Sequence, residues 1–138
     1  VFGNRPRVIF DGAHNLPAAR VLRKTITDYF SNEKLAAVIG IVDDKDKRGV
    51  LSQIAPFFDK IVVTRPFSHR AQNPQETFEI AKEFNENVDF QIDPIKAYEG
   101  LKQEGYETIM ITGSLYLVGY LRDYITDGRL EPEWSIVR

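Results

Sequence analysis

Short apolar, β-branched runs alternate along this chain with longer stretches in which apolar residues return every three or four positions. The runs are Val8 to Phe10, Ala37 to Val42, Lys60 to Thr64, Val88 to Ile92 and Thr108 to Thr112. After the first, Ala18, Val21, Leu22, Ile26, Tyr29 and Phe30 keep helical spacing, and Pro17 suits a first helical turn, which predicts a helix over roughly residues 16–31. Gly49 to Phe58 supplies a second helix. Asn73-Pro74-Gln75-Glu76 resembles a helix start, with Asn73 as cap, ahead of Phe78, Ile80, Ala81 and Phe84. A fourth helix runs from Pro94 toward Gly105, and a fifth from Ser114, a good cap, to about Tyr124.

Five strand-helix units in this order predict an α/β fold. The expected form is a three-layer α/β/α Rossmann-like domain with a mostly parallel, doubly wound sheet of five or six strands. Right-handed crossovers put the loops that follow the strands on one edge of such a sheet. Asp11 to Asn15, Asp43 to Asp46, Arg65 to Ala71, Pro94 and Gly113-Ser114 then share one rim, which is where open α/β sheets take their ligands. The tail from Asp127 to Arg138, with Trp134 and Ile136, fits either an edge strand or an arm.

Composition narrows the classes. A chain of 138 residues, 43% hydrophobic, is expected to make one domain with a core of its own. Lysine and arginine number 18 against 20 acidic residues, so nothing favours general attraction to a nucleic-acid backbone. The absence of cysteine rules out disulfides and thiolate metal sites, and two histidines far apart make a structural zinc site improbable. Apolar runs such as Leu35 to Val42 are too short to cross a bilayer, so a cytoplasmic protein without membrane partners is expected. The first residue is Val1 and the first strand begins by about residue 7, which reads as an excised domain.

Chemistry concentrates at two strand ends. Asp11 stops the first strand, Gly12 lets the backbone turn, and His14 and Asn15 present an imidazole and an amide where a helix begins, a place suited to a carboxylate or phosphate. The plainer alternative is a tight turn with Asn15, or Asp11, as cap and a solvent-facing histidine. Gly113-Ser114 repeats the arrangement at the last strand, where Ser114 can cap the helix or donate to a ligand. The run Asp43-Asp44-Lys45-Asp46-Lys47-Arg48 could bind a cation or organise a nucleotide, or be a solvated loop in which Asp46 caps a helix. Arg65, His69 and Arg70 make the third loop basic, with Arg70 the stronger phosphate candidate.

Several enzyme classes lack their residues. There is no GxxxxGK(S/T) loop and no GxGxxG after the first strand. Val8-Ile9-Phe10-Asp11 is similar to the nucleophile strand of haloacid-dehalogenase-type phosphatases, but Ala13 stands where a second acid is needed. A receiver-like interaction module needs an acidic pair after its first strand, whereas Asp43-Asp44 follows the second.

DGAHN at 11–15, DKD at 44–46, Arg70-Ala71 and TGSLYLVG at 112–119 together resemble the C-terminal domain of folylpolyglutamate synthase and dihydrofolate synthase, in the Mur ligase superfamily. The resemblance covers nearly the whole chain, 1–138, and implies the C-terminal lobe of an ATP-dependent folate:L-glutamate ligase that works through an acyl phosphate. It implies that Asp11 contacts ATP and that His14 and Ser114 meet the incoming glutamate, with Gly12, Asn15 and Gly113 shaping the turns. It also implies that ATP, magnesium and folate are held mainly by N-terminal and central domains outside this chain, which alone should be inactive. One departure is Leu16, which stands between Asn15 and Pro17 where many members have proline directly.

Overall fold

The computed structural model describes residues 6–43, 45–66, 74–126 and 135–137. Elements follow in the order β1 (Arg7–Asp11), α1 (Leu16–Tyr29), β2 (Leu35–Ile39), α2 (Lys47–Ile54), β3 (Lys60–Val63), α3 (Pro74–Phe84), β4 (Val88–Phe90), α4 (Pro94–Gln103), β5 (Thr108–Thr112), α5 (Leu115–Thr126) and β6 (Ser135–Val137). All six strands are parallel, in the order β4-β3-β2-β5-β1-β6. The expected doubly wound sheet is therefore present and, among the described residues, wholly parallel. Residues 135–137 settle the tail: they pair with β1, Phe10 opposite Ile136, as an edge strand.

Alternation along the strands divides the core. Ile9, Ala37, Ile39, Ile61, Val63 and Met110 face α1, α2 and α3, which contribute Leu22, Ile26, Leu51, Ile54 and Ile80. Val8, Phe10, Ala36, Val38, Ile109 and Ile111 face α4 and α5, which contribute Tyr98, Leu101, Leu117 and Leu121. Central strands β2 and β5 are buried at every position, as parallel strands covered on both sides must be. Each large side chain so enclosed contributes about 1.5–3 kcal/mol relative to exposure.

Boundaries moved where tertiary contacts overrode the local pattern. The run Ala37 to Val42 stays buried throughout, but only Leu35–Ile39 is strand: beyond it the Gly40 N–H donates to the Thr112 carbonyl at 3.2 Å and the chain turns away. The second helix begins two residues before Gly49 because Asp46 caps it there, the Gly49 N–H donating to Asp46 Oδ1 at 2.9 Å, and it ends in a 3-10 turn over Ala55–Phe57. The expected Asn73 cap lies outside the described residues.

Helix placement creates the site. β5 sits between β2 and β1, and its helix α5 leaves on one face while α1 and α2, which follow its neighbours, leave on the other. Helices departing in opposite directions from adjacent strands leave a crevice above the strand ends.

Candidate functional site

The crevice is built from three turns. At the end of β1, Asp11 is 1% exposed, and its carboxylate accepts the Ala13 N–H at 2.8 Å. A Cβ on Gly12 would come within 2.3 Å of Leu115 Cδ2, so the turn after β1 lies against the side chain of the first residue of α5, which a larger residue would have to displace. The His14 Nδ1–H donates to the Gly12 carbonyl at 2.8 Å, which fixes the ring on its own turn. Asn15 caps α1 by accepting the Ala18 N–H at 2.9 Å. With the cap formed by Asn15, the extra Leu16 is accommodated as the first helical residue and Pro17 as the second.

At the end of β5, Gly113 has φ +107°, and a Cβ on it would lie 2.6 Å from the Gly40 carbonyl oxygen. That close approach joins the ends of β5 and β2. Ser114 is 1% exposed, and its Oγ accepts the Tyr116 N–H at 3.1 Å. The hydroxyl thus caps α5 while its own proton remains available to a ligand.

The turn after β2 completes the set. Lys45, Val42, His14, Ser114, Leu115 and Tyr116 line one cleft of about 160 Å³. Among the described residues on its wall, Lys45 carries a full charge and none is a carboxylate. Two nearby acids are engaged elsewhere: Asp43 accepts from Lys47 Nζ at 3.0 Å, and Asp46 caps α2. Lys47 is almost wholly enclosed and also donates to Glu76 at 2.9 Å. Burial weakens the hold of Lys47 on its proton, but the hydrogen bonds to Glu76 and Asp43 outweigh it and raise its pKa above that of an ordinary lysine. An enclosed ammonium with two carboxylates pins the loop that carries Lys45 to the start of α3.

The structure therefore brings His14 and Ser114 together and adds Lys45, which reading the sequence treated as one charge in a solvated run. No spacing in the sequence singles out Lys45, because the partners that occupy Asp43 and Asp46 are set only by folding. Asp11 shapes the turn from below and is not part of the cleft wall. Asp46 is a helix cap and does not line the cleft. Arg65 is exposed, and His69, Arg70 and Asp44 lie outside the described residues. Among the described residues no three His, Asp or Glu side chains gather as a metal site, and no helix is long and apolar enough to cross a membrane. A larger cavity of about 260 Å³ lies between β3, β4 and α4, but its Lys60 is held by Asp89 at 2.9 Å and Glu104 at 3.0 Å.

A doubly wound parallel sheet with a crevice at its strand ends defines an open α/β domain. The chain belongs to the family described as dihydrofolate synthetase, C-terminal domain, which matches residues 2–124. A folylpolyglutamate synthase from Thermotoga maritima superposes with a TM-score of 0.78 at 37% identity, over 91% of this chain and 29% of that one. The Mycobacterium tuberculosis folylpolyglutamate synthase, solved in complex with ADP and AMPPCP, gives a TM-score of 0.74 at 29% identity, over 86% of this chain and 29% of that one. The curated dihydrofolate synthase/folylpolyglutamate synthase of Mycobacterium tuberculosis is 39% identical over 66 residues, 48% of this chain and 14% of that protein. This chain thus spans less than a third of the relatives named here, which are folate ligases in name, and membership of that family displaces the phosphatase and receiver readings.

Proposed function

We propose that this chain is the C-terminal lobe of an ATP-dependent folate:L-glutamate ligase, and that the cleft between the ends of β1, β2 and β5 receives the incoming glutamate. The observation that carries this reading is the meeting of Lys45, His14 and Ser114 in one small cleft. A dicarboxylate needs more than one donor, and the Lys45 ammonium and the Ser114 hydroxyl supply a charged and a neutral one. Val42, Leu115 and Tyr116 line the rest, where an aliphatic chain loses no hydrogen bonds. In this reading ATP and folate are held chiefly by the upstream domains, which activate the folate carboxylate as an acyl phosphate. The lobe closes over them and excludes water, so it should not ligate by itself. Asp11 belongs to the nucleotide side through the turn it holds, and direct contact with ATP would need that turn to open. Magnesium ligands are expected in the upstream domains.

The test is glutamate- and folate-dependent ADP release by the complete gene product. Ser114→Ala and Lys45→Ala are expected to raise the KM for glutamate by roughly tenfold or more while the KM for ATP stays within about twofold, since a hydrogen bond to a charged group contributes about 1.5–3 kcal/mol. Unchanged glutamate kinetics in both variants would show that the cleft is not the amino-acid site.

A further inference from the structure

We infer that Lys47 is a positioning residue, whose enclosed ammonium fixes the turn that presents Lys45 to the cleft. The inference rests on the ligase reading above for what Lys45 does, and on geometry alone for how Lys45 is held.

Lys47 stands where local rules favour an uncharged, apolar side chain. It opens α2, and with Val50, Leu51 and Ile54 it forms the buried face of that helix, at spacings of three and four. A lysine is rarely enclosed, because taking an ammonium out of water is costly, and a leucine or methionine fills such a place without that cost. A cation in the first turn of a helix also opposes the helix dipole. Two unfavourable placements of one residue point to a role other than stability.

The partners show what that role is. Lys47 Nζ donates to Asp43 Oδ1 at 3.0 Å and to Glu76 Oε1 at 2.9 Å. The Lys47 side chain is 4% exposed, whereas those of Asp43 and Glu76 are 41% and 61% exposed. The ammonium is therefore the fixed point, and two carboxylates are brought to it, Asp43 from the loop after β2 and Glu76 from the first turn of α3. Between Asp43 and Lys47 the backbone is drawn tight. The Lys45 N–H donates to the Val42 carbonyl at 3.1 Å, and the Lys47 N–H to the Lys45 carbonyl at 2.9 Å. Lys45 thus lies inside a turn closed by the Asp43–Lys47 pair, and Val42, at the base of that turn, lines the same cleft.

The arrangement answers a physical need of Lys45. Its residue is exposed, and a long, flexible side chain is placed only as well as the backbone that carries it. Ion pairs wholly in water hold a loop weakly, since solvent screens them and their side chains keep moving. An ammonium enclosed at the start of α2 has lost that freedom, so the turn it gathers is set by the helix and the core beneath it.

The test uses Lys47→Met, which fills the enclosed space and leaves Asp43 and Glu76 to water. Nitrogen relaxation of the isotopically labelled chain should show lower backbone order at residues 43, 45 and 46 and unchanged order in β2 and β5, with the thermal midpoint within a few degrees of the parent. In the complete gene product Lys47→Met should raise the KM for glutamate about fivefold or more and leave that for ATP within about twofold. In a Lys45→Ala background it should change the glutamate KM by less than about twofold, because the turn then carries nothing to place. Glu76→Gln, at an exposed position, loosens the same link without altering the enclosed space, and should give a smaller loss of order at the same residues even if Lys47→Met does not fold. Unchanged order at those residues in the variants would overturn the inference. So would an equal rise in glutamate KM in both backgrounds, or a KM that responds to Lys45→Ala but not to Lys47→Met. Normal glutamate kinetics in Lys45→Ala would instead count against the ligase reading of the cleft, while the relaxation measurement still decides whether Lys47 holds the turn.

Discussion

Two glycines with left-handed backbone show how differently the same residue can be constrained. Gly105 has φ +86°, with nothing within 4 Å of where a Cβ would stand, while Gly113 has φ +107° and faces the Gly40 carbonyl at 2.6 Å. Gly105→Ala should cost about 1–2 kcal/mol, the penalty for a side chain in that region. Gly113→Ala must meet the same penalty and also push β5 from β2, so its loss should be clearly larger, and thermal unfolding of the two variants side by side measures the difference. If the two losses are equal, the approach to Gly40 is not a constraint on the crevice. The same contrast explains what could be read in advance: Gly113 before Ser114 was legible as a turn, but nothing in the sequence says that Gly40, more than seventy positions earlier, is the atom it meets.

Elements are held together at the end of the sheet remote from the cleft by one carboxylate. Glu33, between α1 and β2, pairs with Arg7 at the start of β1 and accepts from the Thr108 hydroxyl at the start of β5 at 2.5 Å. Partial burial pushes the Glu33 carboxyl upward, but the hydrogen bonds from Arg7 and Thr108 prevail and hold it below the usual carboxylate range. A folded-state pKa depressed in this way gives stability that is fully present above the unfolded value and is lost as pH falls through the folded one. The chain's stability toward denaturant should therefore fall as pH drops through and below the usual carboxylate range, and Glu33→Gln should flatten that slope while lowering stability at pH 7. An unchanged slope in the variant would assign the acid sensitivity to other carboxylates. None of this was visible from spacing, because Arg7, Glu33 and Thr108 meet only when three strands are in register.

For the whole molecule, the cleft is small, about 160 Å³, and partly open to solvent, so this chain should bind L-glutamate only weakly. Titrating the isotopically labelled chain with L-glutamate should shift the amide signals at positions 14, 45 and 114–116, and leave those around the Lys60–Glu104 cavity in place. Shifts confined to the Lys60 groove would move the amino-acid site to the other end of the sheet.

The sequence by itself determined the order of strands and helices, the parallel doubly wound class, the family and the two turns that carry His14 and Ser114. Those are local properties: period, caps, turn residues and short motifs act over a few positions. Tertiary structure decided that β5 inserts between β1 and β2, that Asp43 and Asp46 have structural partners while Lys45 lines the cleft, and that the Gly12 carbonyl takes the Nδ1 proton of His14. Strand order is fixed by which apolar faces cover one another, and side-chain roles by which partners then come within about 3 Å, a distance at which one hydrogen bond selects the tautomer.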